Sequence, residues 1–453
     1  MMDKRFIKSK LRFFKQHYSI VLALLFMLVA FQACNRQIVR YIPSKSDLIT
    51  EADSGMKQEI SRISCSNPLN YLADTLHPDY QQTRYVRVNF HFVNNSEGTA
   101  NFDQVAARQY AHDILQAANQ RMLNNQQMHL PPGNNTAVMP VNIQFVLSPD
   151  SSISGDEGIY YHRDDRHCYF NPDDKENTIY SSWLYDHYGL QKGRVINIFF
   201  IERGPDSLGR PMAGKMGGIG MGPWAKVAGA FSKSTEVFYN DGKQDITYGP
   251  WFISKLLIHE LGHCLGLSHS WNQNDGCKDT PRNPNCWSKG EGGICDSLWS
   301  NNVMDYNLYR EALTPCQIGK MHYRFTLNNS IQRKVLIEDW CLKDTSQTIY
   351  IHRGEKIEWP CNKDIHGDII VKPAAQLILH CLVSMPAGSK IIVQAGGKLI
   401  LDACEISNRC GDQWQGIEVW KKKDSQGQVF LLNHSKISNV LYPVREKRIY
   451  LNN

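Results

Sequence analysis

One stretch, "HELGHCLGLSH" from His259 to His269, restricts this chain more than any other feature. His259 and His263 stand four residues apart, one helical turn, so their imidazoles face the same side. Ile253, Leu256, Leu257, Leu261 and Leu265 keep helical spacing around them, and Pro250 suits the first turn. Gly266 predicts the helix stop, because a residue without Cβ turns the chain out of the helix at little cost. His269 then returns toward the first two histidines from another direction. Three imidazoles converging on one point make a zinc site with an open fourth position, and Glu260, next to His259, reaches that position as a catalytic base. The motif therefore demands a helix with a buried polar face and a loop that folds back over it.

Export is the second constraint. Residues 1–33 carry Lys4, Arg5, Lys8, Lys10, Arg12 and Lys15 against Asp3, followed by the apolar run "IVLALLFMLVAF" from Ile20 to Phe31. That run is shorter than the roughly 20 residues a bilayer span takes, and it fits a signal-peptide core. Ala33-Cys34 resembles the small-residue-then-Cys site of bacterial lipoproteins, so a lipid anchor on Cys34 is expected to tie the protein to a membrane. The expected location is an outer-membrane or cell-surface lipoprotein, with plain secretion as the other outcome. The formal charge of +6 falls mostly in this leader, which leaves the rest near neutral and excludes nucleic acid as a partner. Thirteen cysteines suit an oxidising compartment with disulfides.

With 453 residues, the chain is long enough for two or three domains. Residues 34–82 read as a lipidated N-terminus, spacer or pro-segment. An α+β domain is expected over 83–335. "YVRVNFHFV" alternates like a strand, and "NFDQVAARQYAHDILQAANQRML" is an amphipathic helix with Val105, Tyr110, Ile114 and Ala118 near one face. "VNIQFVL" and "VINIFFI" are further strands. From 345 to 453 the texture becomes all-β and repetitive. "GDIIVKPAAQLILHC" and "SKIIVQAGGKLILDAC" align at an offset of 22 residues, which suits a right-handed parallel β-helix.

Downstream, "NNVMDYN" places Met304 and Tyr306 after His269. With "HELGHCLGLSH", "DGCKDTP", "NNVMDY" and "LTPCQIGKMH", the chain resembles the metzincin zinc metalloproteases, and among them the pappalysin/cytophagalysin family, over about Tyr85 to Arg333. The resemblance implies an endopeptidase acting on protein or peptide substrates through metal-activated water. Zinc would be held by His259, His263 and His269. Glu260 would carry the proton from water to the leaving amine, Tyr306 would hydrogen-bond the tetrahedral intermediate or ligate zinc, and Met304 would pack beneath the histidines. It also implies Cys277–Cys295 and Cys286–Cys316 disulfides, where spacing alone leaves three connectivities open. Asp275 and Asp279 are either ligands of a structural Ca²⁺, as the resemblance allows, or members of a solvated acidic loop. The resemblance further implies that the loop after the methionine turn lines the pocket for the residue following the cut, and here that loop holds both Arg310 and Glu311, which leaves its charge preference open. Cys264 replaces a bulky aromatic and reads as a buried free thiol. Cys65, in the candidate pro-segment, is a thiolate that blocks the zinc site until proteolysis, or a disulfide partner, for instance of Cys168, or a residue that merely packs.

Two other functions stand against this one. The chain is either a surface adhesion or structural protein with a vestigial protease domain, or a polysaccharide-active β-helix protein. The complete ligand set argues against decay, and the repeats show no catalytic cluster of their own. A surface glycan or protein is the partner such a β-helix would take.

Overall fold

The computed structural model describes residues 38–44, 47–50, 63–77, 80, 82–98, 101–171, 174, 177–204, 217–235, 239–240, 243–244, 248–442 and 448–450. The expected signal segment and Cys34 lie outside them. The chain divides into two compact units. One comprises Ser64–Asp339 with Cys361–Lys363; the other comprises Trp340–Pro360, Asp364–Asn453 and the segment ending at Ile63. No helix among the described residues is long and apolar enough to cross a membrane.

The first unit is built on a twisted sheet. Its strands are β1 (Arg84–Asn94), β2 (Ile143–Leu147), β3 (Ile159–Arg163), β4 (Ile196–Arg203), β5 (Gly217–Gly220) and β6 (Trp224–Ala228). Their order is β2-β1-β4-β6-β5, with β3 also on β1. All these pairs are parallel except β5 on β6, which is antiparallel and forms one edge. The alternation in β1 predicts one wet face, yet Asn89 and His91 are fully buried. A central parallel strand is covered on both faces, so its polar side chains must find partners inside. His91 Nδ1 lies 2.8 Å from His162 Nε2, and its Nε2 lies 3.0 and 3.1 Å from the Asn89 and Asn197 side-chain oxygens.

Helix α1 (Gln104–Leu123) starts at Asp103, whose carboxylate accepts from Ala106 N. Tyr110, Ile114 and Ala118 lie on its buried stripe as expected, but Val105 is 79% exposed and belongs to the opposite face. Helix α2 (Tyr248–Cys264) packs against α1 and under β5 and β6. It is apolar almost all round, as a helix enclosed on several sides has to be. Arg121 of α1 ties the two helices by donating to Ser254 Oγ at 2.8 Å and to the Trp251 carbonyl at 2.9 Å. Helix α3 (Pro315–Thr326) opens with a capping box in which Thr314 and Gln317 satisfy each other's backbone N–H.

The second unit carries two stacks of parallel strands. One holds Ile349–Ile351, Ile369–Val371, Lys390–Val393 and Gly416–Lys422; the other holds Lys356–Trp359, Gln376–Ser384, Lys398–Ser407 and Gln428–Leu432. Residues 22 apart lie directly beside one another. Ile369, Ile370 and Val371 pair with Ile391, Ile392 and Val393, and Leu377, Ile378 and Leu379 pair with Leu399, Ile400 and Leu401. Of these, Ile369, Val371, Leu377 and Leu379 and their four counterparts have no exposed surface.

Two short strands and a turn are described within the range 34–82. Val39–Ile42 runs antiparallel beside Gly416–Lys422, with the Arg40 guanidinium 4.4 Å above the Trp420 ring. Leu48–Thr50 joins Gln428–Leu432 in parallel. These strands are too short to show a period, and what holds them is the edge that the last parallel strands would otherwise leave open. The stretch Pro68–Tyr71 instead packs on α3 in the first unit, with the Tyr71 and Tyr323 rings 5.4 Å apart.

Candidate metal centre

The three histidines of the motif meet at one point. His259 and His263 leave α2 on the same side. Gly266 follows with φ +93°, and the Leu267 N–H donates to the Gly262 carbonyl at 2.9 Å, closing the helix with a glycine cap. His269 Nε2 lies 3.3 Å from His259 Nε2 and 3.0 Å from His263 Nε2. Nitrogens bound at about 2.05 Å in a tetrahedral zinc site are about 3.3 Å apart.

The tautomers agree with a cation at that point. His259 Nδ1 donates to the Val303 carbonyl at 2.6 Å, and His263 Nδ1 donates to the Leu267 carbonyl at 2.9 Å. A carbonyl can only accept, so these protons sit on Nδ1 and both Nε2 atoms present bare lone pairs. Burial holds all three rings below the usual histidine range, His269 at about 4, so they are neutral as ligation requires. The residues present therefore fit zinc.

Glu260 is 3% exposed, and burial pushes its carboxyl up to about 8 against the pull of Arg310 and of the Gly220 N–H. Edge strand β5 is pressed onto it. A Cβ on Gly218 would stand 2.5 Å from Glu260 Oε1, and one on Gly220 would overlap the Glu260 backbone carbonyl. The glycines of "GGIG" are thus what lets the strand approach. Sequence reading missed them, although a run of glycines beside an apolar strand signals close backbone approach.

Met304 has no exposed surface and sits under the site, where a Cβ on Gly262 would come 2.5 Å from its sulfur. Its loop is held by Asn302, which accepts from Met304 N at 2.8 Å and exchanges amide hydrogen bonds with Gln317. Buried Asp305 accepts from Ser270 Oγ and Ser300 Oγ, both at 2.6 Å, and so ties the residue after His269 to the methionine loop. Tyr306 is 44% exposed, with its ring 4.7 Å from His269 and 4.5 Å from Trp271. Trp271 also packs on His269 at 4.3 Å, a wall the motif did not announce.

The disulfide pairing and the free Cys65 thiolate need correction, while the calcium expectation is not decided by the contacts of its two aspartates. The disulfides are Cys277–Cys316 and Cys286–Cys295, the outer and inner pairs. Asp279 explains the outer one: it accepts from Thr314 Oγ1 and Cys316 N, docking the Cys277 loop on the first turn of α3. Cys65 is disulfide-bonded and Cys168 is a free buried thiol. The disulfide reading of Cys65 therefore holds and the thiolate reading does not, but Cys168 is not its partner. Asp275 is occupied by Thr280 Oγ1 and Cys277 N, and no cluster of three candidate ligands among the described residues contains both Asp275 and Asp279. Cys264 is the expected buried thiol, donating to the Trp224 carbonyl at 3.3 Å.

Residues 228–326 match the family model Peptidase_M43, described as pregnancy-associated plasma protein-A. No curated protein matches the chain. Similar solved structures include mature mirolysin of Tannerella forsythia in complex with a cleaved peptide, at 22% identity and TM-score 0.39, covering 57% of this chain and 97% of that one. A promirolysin mutant of the same organism is 19% identical with TM-score 0.38, covering 57% and 85%. The segment matched by the family model holds α2, the returning histidine, the methionine loop and both disulfides around them, and over that segment the chain is similar to zinc metalloendopeptidases of the metzincin type.

Proposed function

We propose that this chain works outside the cytoplasm, hydrolysing proteins or peptides with Glu260 as general base. The observation that carries the reading is the convergence of three imidazole nitrogens within about 3 Å beside a buried carboxylate. Held by His259, His263 and His269, zinc would supply Lewis acidity toward water and the scissile carbonyl. Glu260 takes a proton from water and returns it to the leaving nitrogen, and the Gly220 N–H steadies its carboxylate meanwhile. The Tyr306 hydroxyl donates to the oxygen that gains charge. Its ring, braced on His269 and Trp271, keeps that hydroxyl in range.

The same proposal extends to the rest of the chain. Residues 1–33 act as a signal peptide and Cys34 carries lipid. Residues 83–335 are the protease, and 345–453 form a parallel β-helix that spaces it from the membrane or binds a surface glycan or protein. The repeat offset of 22 residues and the parallel pairing support the last reading.

The test is metal analysis and peptide cleavage on wild type and Glu260→Ala. Wild type should hold about one zinc and lose activity on chelation. The variant should hold the same zinc and cleave at background rate. Undiminished cleavage by Glu260→Ala would overturn the assignment. Fatty-acid labelling of wild type but not of Cys34→Ala checks the anchor.

A further inference from the structure

The methionine loop is almost self-contained in its backbone hydrogen bonds. Among the described residues, every backbone N–H from Val303 to Ala312 finds its acceptor within residues 301–312, with two exceptions. Tyr306 and Leu308 reach outside the loop. Tyr306 N donates to Asn285 Oδ1 at 3.0 Å, and Leu308 N donates to the Trp287 carbonyl at 2.8 Å. The one residue of this loop whose side chain faces the reaction is thus held by an acceptor from elsewhere in the chain.

That acceptor belongs to a built support. Asn285 and Trp287 flank Cys286, whose bond to Cys295 closes a short turn covalently. Asn285 stands at φ +56°, a left-handed conformation that asparagine tolerates better than most residues with a Cβ. Its own N–H donates to Asn283 Oδ1 at 2.8 Å. Asn283 in turn donates through Nδ2 to Asp305 Oδ2 and through its backbone N–H to the Trp271 carbonyl, both at 3.0 Å. The segment 283–287 therefore grips the residue before Tyr306, Tyr306 itself, and the tryptophan whose ring lies 4.5 Å from the tyrosine ring.

We propose that Asn285 is a positioning residue of the protease, acting through Tyr306. The inference rests on the reading of Tyr306 as the donor to the oxygen that gains charge. Tyr306 lies between buried Asp305 and buried Asn307 but is itself 44% exposed, so packing alone does not fix it. The rings of His269 and Trp271 limit its sideways motion, and the hydrogen bond from its N–H to Asn285 fixes the backbone from which the ring projects. A donor aimed at charge that develops only in the transition state acts on kcat far more than on KM. Loosening its support should therefore slow turnover without weakening substrate binding.

The experiment uses the zinc-loaded full chain as wild type, Asn285→Gly, Asn285→Asp, Tyr306→Phe and the double variant Asn285→Gly with Tyr306→Phe. Glycine adopts the φ of this position and removes only the acceptor, whereas aspartate tolerates the φ and keeps an acceptor. On each, kcat and KM for one peptide are measured together with zinc content and thermal midpoint. Asn285→Gly should lower kcat by about 5- to 10-fold and change KM by less than about twofold. Asn285→Asp should restore the wild-type kcat. Tyr306→Phe should lower kcat by about 100-fold. On that background Asn285→Gly should cost less than about twofold, because the hydroxyl it positions is gone. An Asn285→Gly enzyme as fast as wild type overturns the proposal. So does an undiminished penalty of Asn285→Gly on the Tyr306→Phe background, since the segment would then brace the fold and not the tyrosine. Should Asn285→Gly fail to fold, Asn285→Ser, whose oxygen ends one bond short, takes its place with the same expectations. Tyr306→Phe at the wild-type rate would instead overturn the reading of Tyr306, and Asn285 would have nothing to position.

Discussion

Gly218→Ala isolates the contact between edge strand β5 and the catalytic carboxylate. An added methyl would stand 2.5 Å from Glu260 Oε1, 2.7 Å from Cγ and 2.8 Å from Cδ. Carbon and carboxyl oxygen ordinarily approach to about 3.3 Å, so the carboxylate must move by ~0.8 Å. At 3% exposure it has little room to do so. A misplacement near 1 Å in a catalytic group costs ~10²-fold, equivalent to ~2.7 kcal/mol of barrier. The assay is kcat/KM on a peptide substrate, with zinc content and thermal midpoint measured alongside. The expected result is a hundredfold loss with unchanged zinc and a small change in midpoint. Gly217→Ala is the control. It lies on the same strand, and its methyl would meet Phe170 at 3.5 Å and Ile179 at 3.8 Å, which are ordinary contacts. Activity of Gly218→Ala within threefold of wild type, at equal zinc, would refute the claim that glycine here protects the position of Glu260.

Acid should destabilise the catalytic unit in a defined window. Burial depresses His162 and His322 to about 4 from 6.5. The unfolded chain therefore takes up protons that the folded chain refuses, and stability is full above pH 6.5 and falls as pH drops toward 4. Each group accounts for at most ~3 kcal/mol over that range. Urea unfolding at stepped pH measures it, and His162→Gln should flatten the slope; identical slopes would contradict the assignment. In the second unit, the Cys341–Cys410 disulfide joins residues 69 apart. Replacing both by serine should cost ~4 kcal/mol, read as an earlier denaturant transition of the full chain.

What could be read from the sequence was what local geometry decides. The four-residue histidine spacing and the glycine that follows α2 are properties of one helix and its exit, and each stands where spacing puts it, whereas the place of Met304 was legible only through the resemblance. The 22-residue offset was legible for a similar reason, because identical positions stack. The unread part depends on approach through space. Nothing near Gly218 in the chain announces Glu260, which is 42 positions away. Asp279 settles the disulfide pairing only once α3 has folded against its loop. The burial of Asn89 and His91 depends on neighbours that arrive from residues 159–163 and 196–203.

The seating of Val39–Ile42 against Gly416–Lys422 has a consequence in time. Arg40 pairs with Trp420, about 380 positions later. A ribosome adding ~5–20 residues per second takes ~20–80 s to supply that partner. Throughout that interval the early strand has no ladder to join, and each new parallel strand is the open edge until the next is made. A nascent chain halted before Trp420 would hold its first strand unpaired and sensitive to protease, while a finished chain would protect it. Among the described residues, the earliest strand to be synthesised is thus among the last to settle.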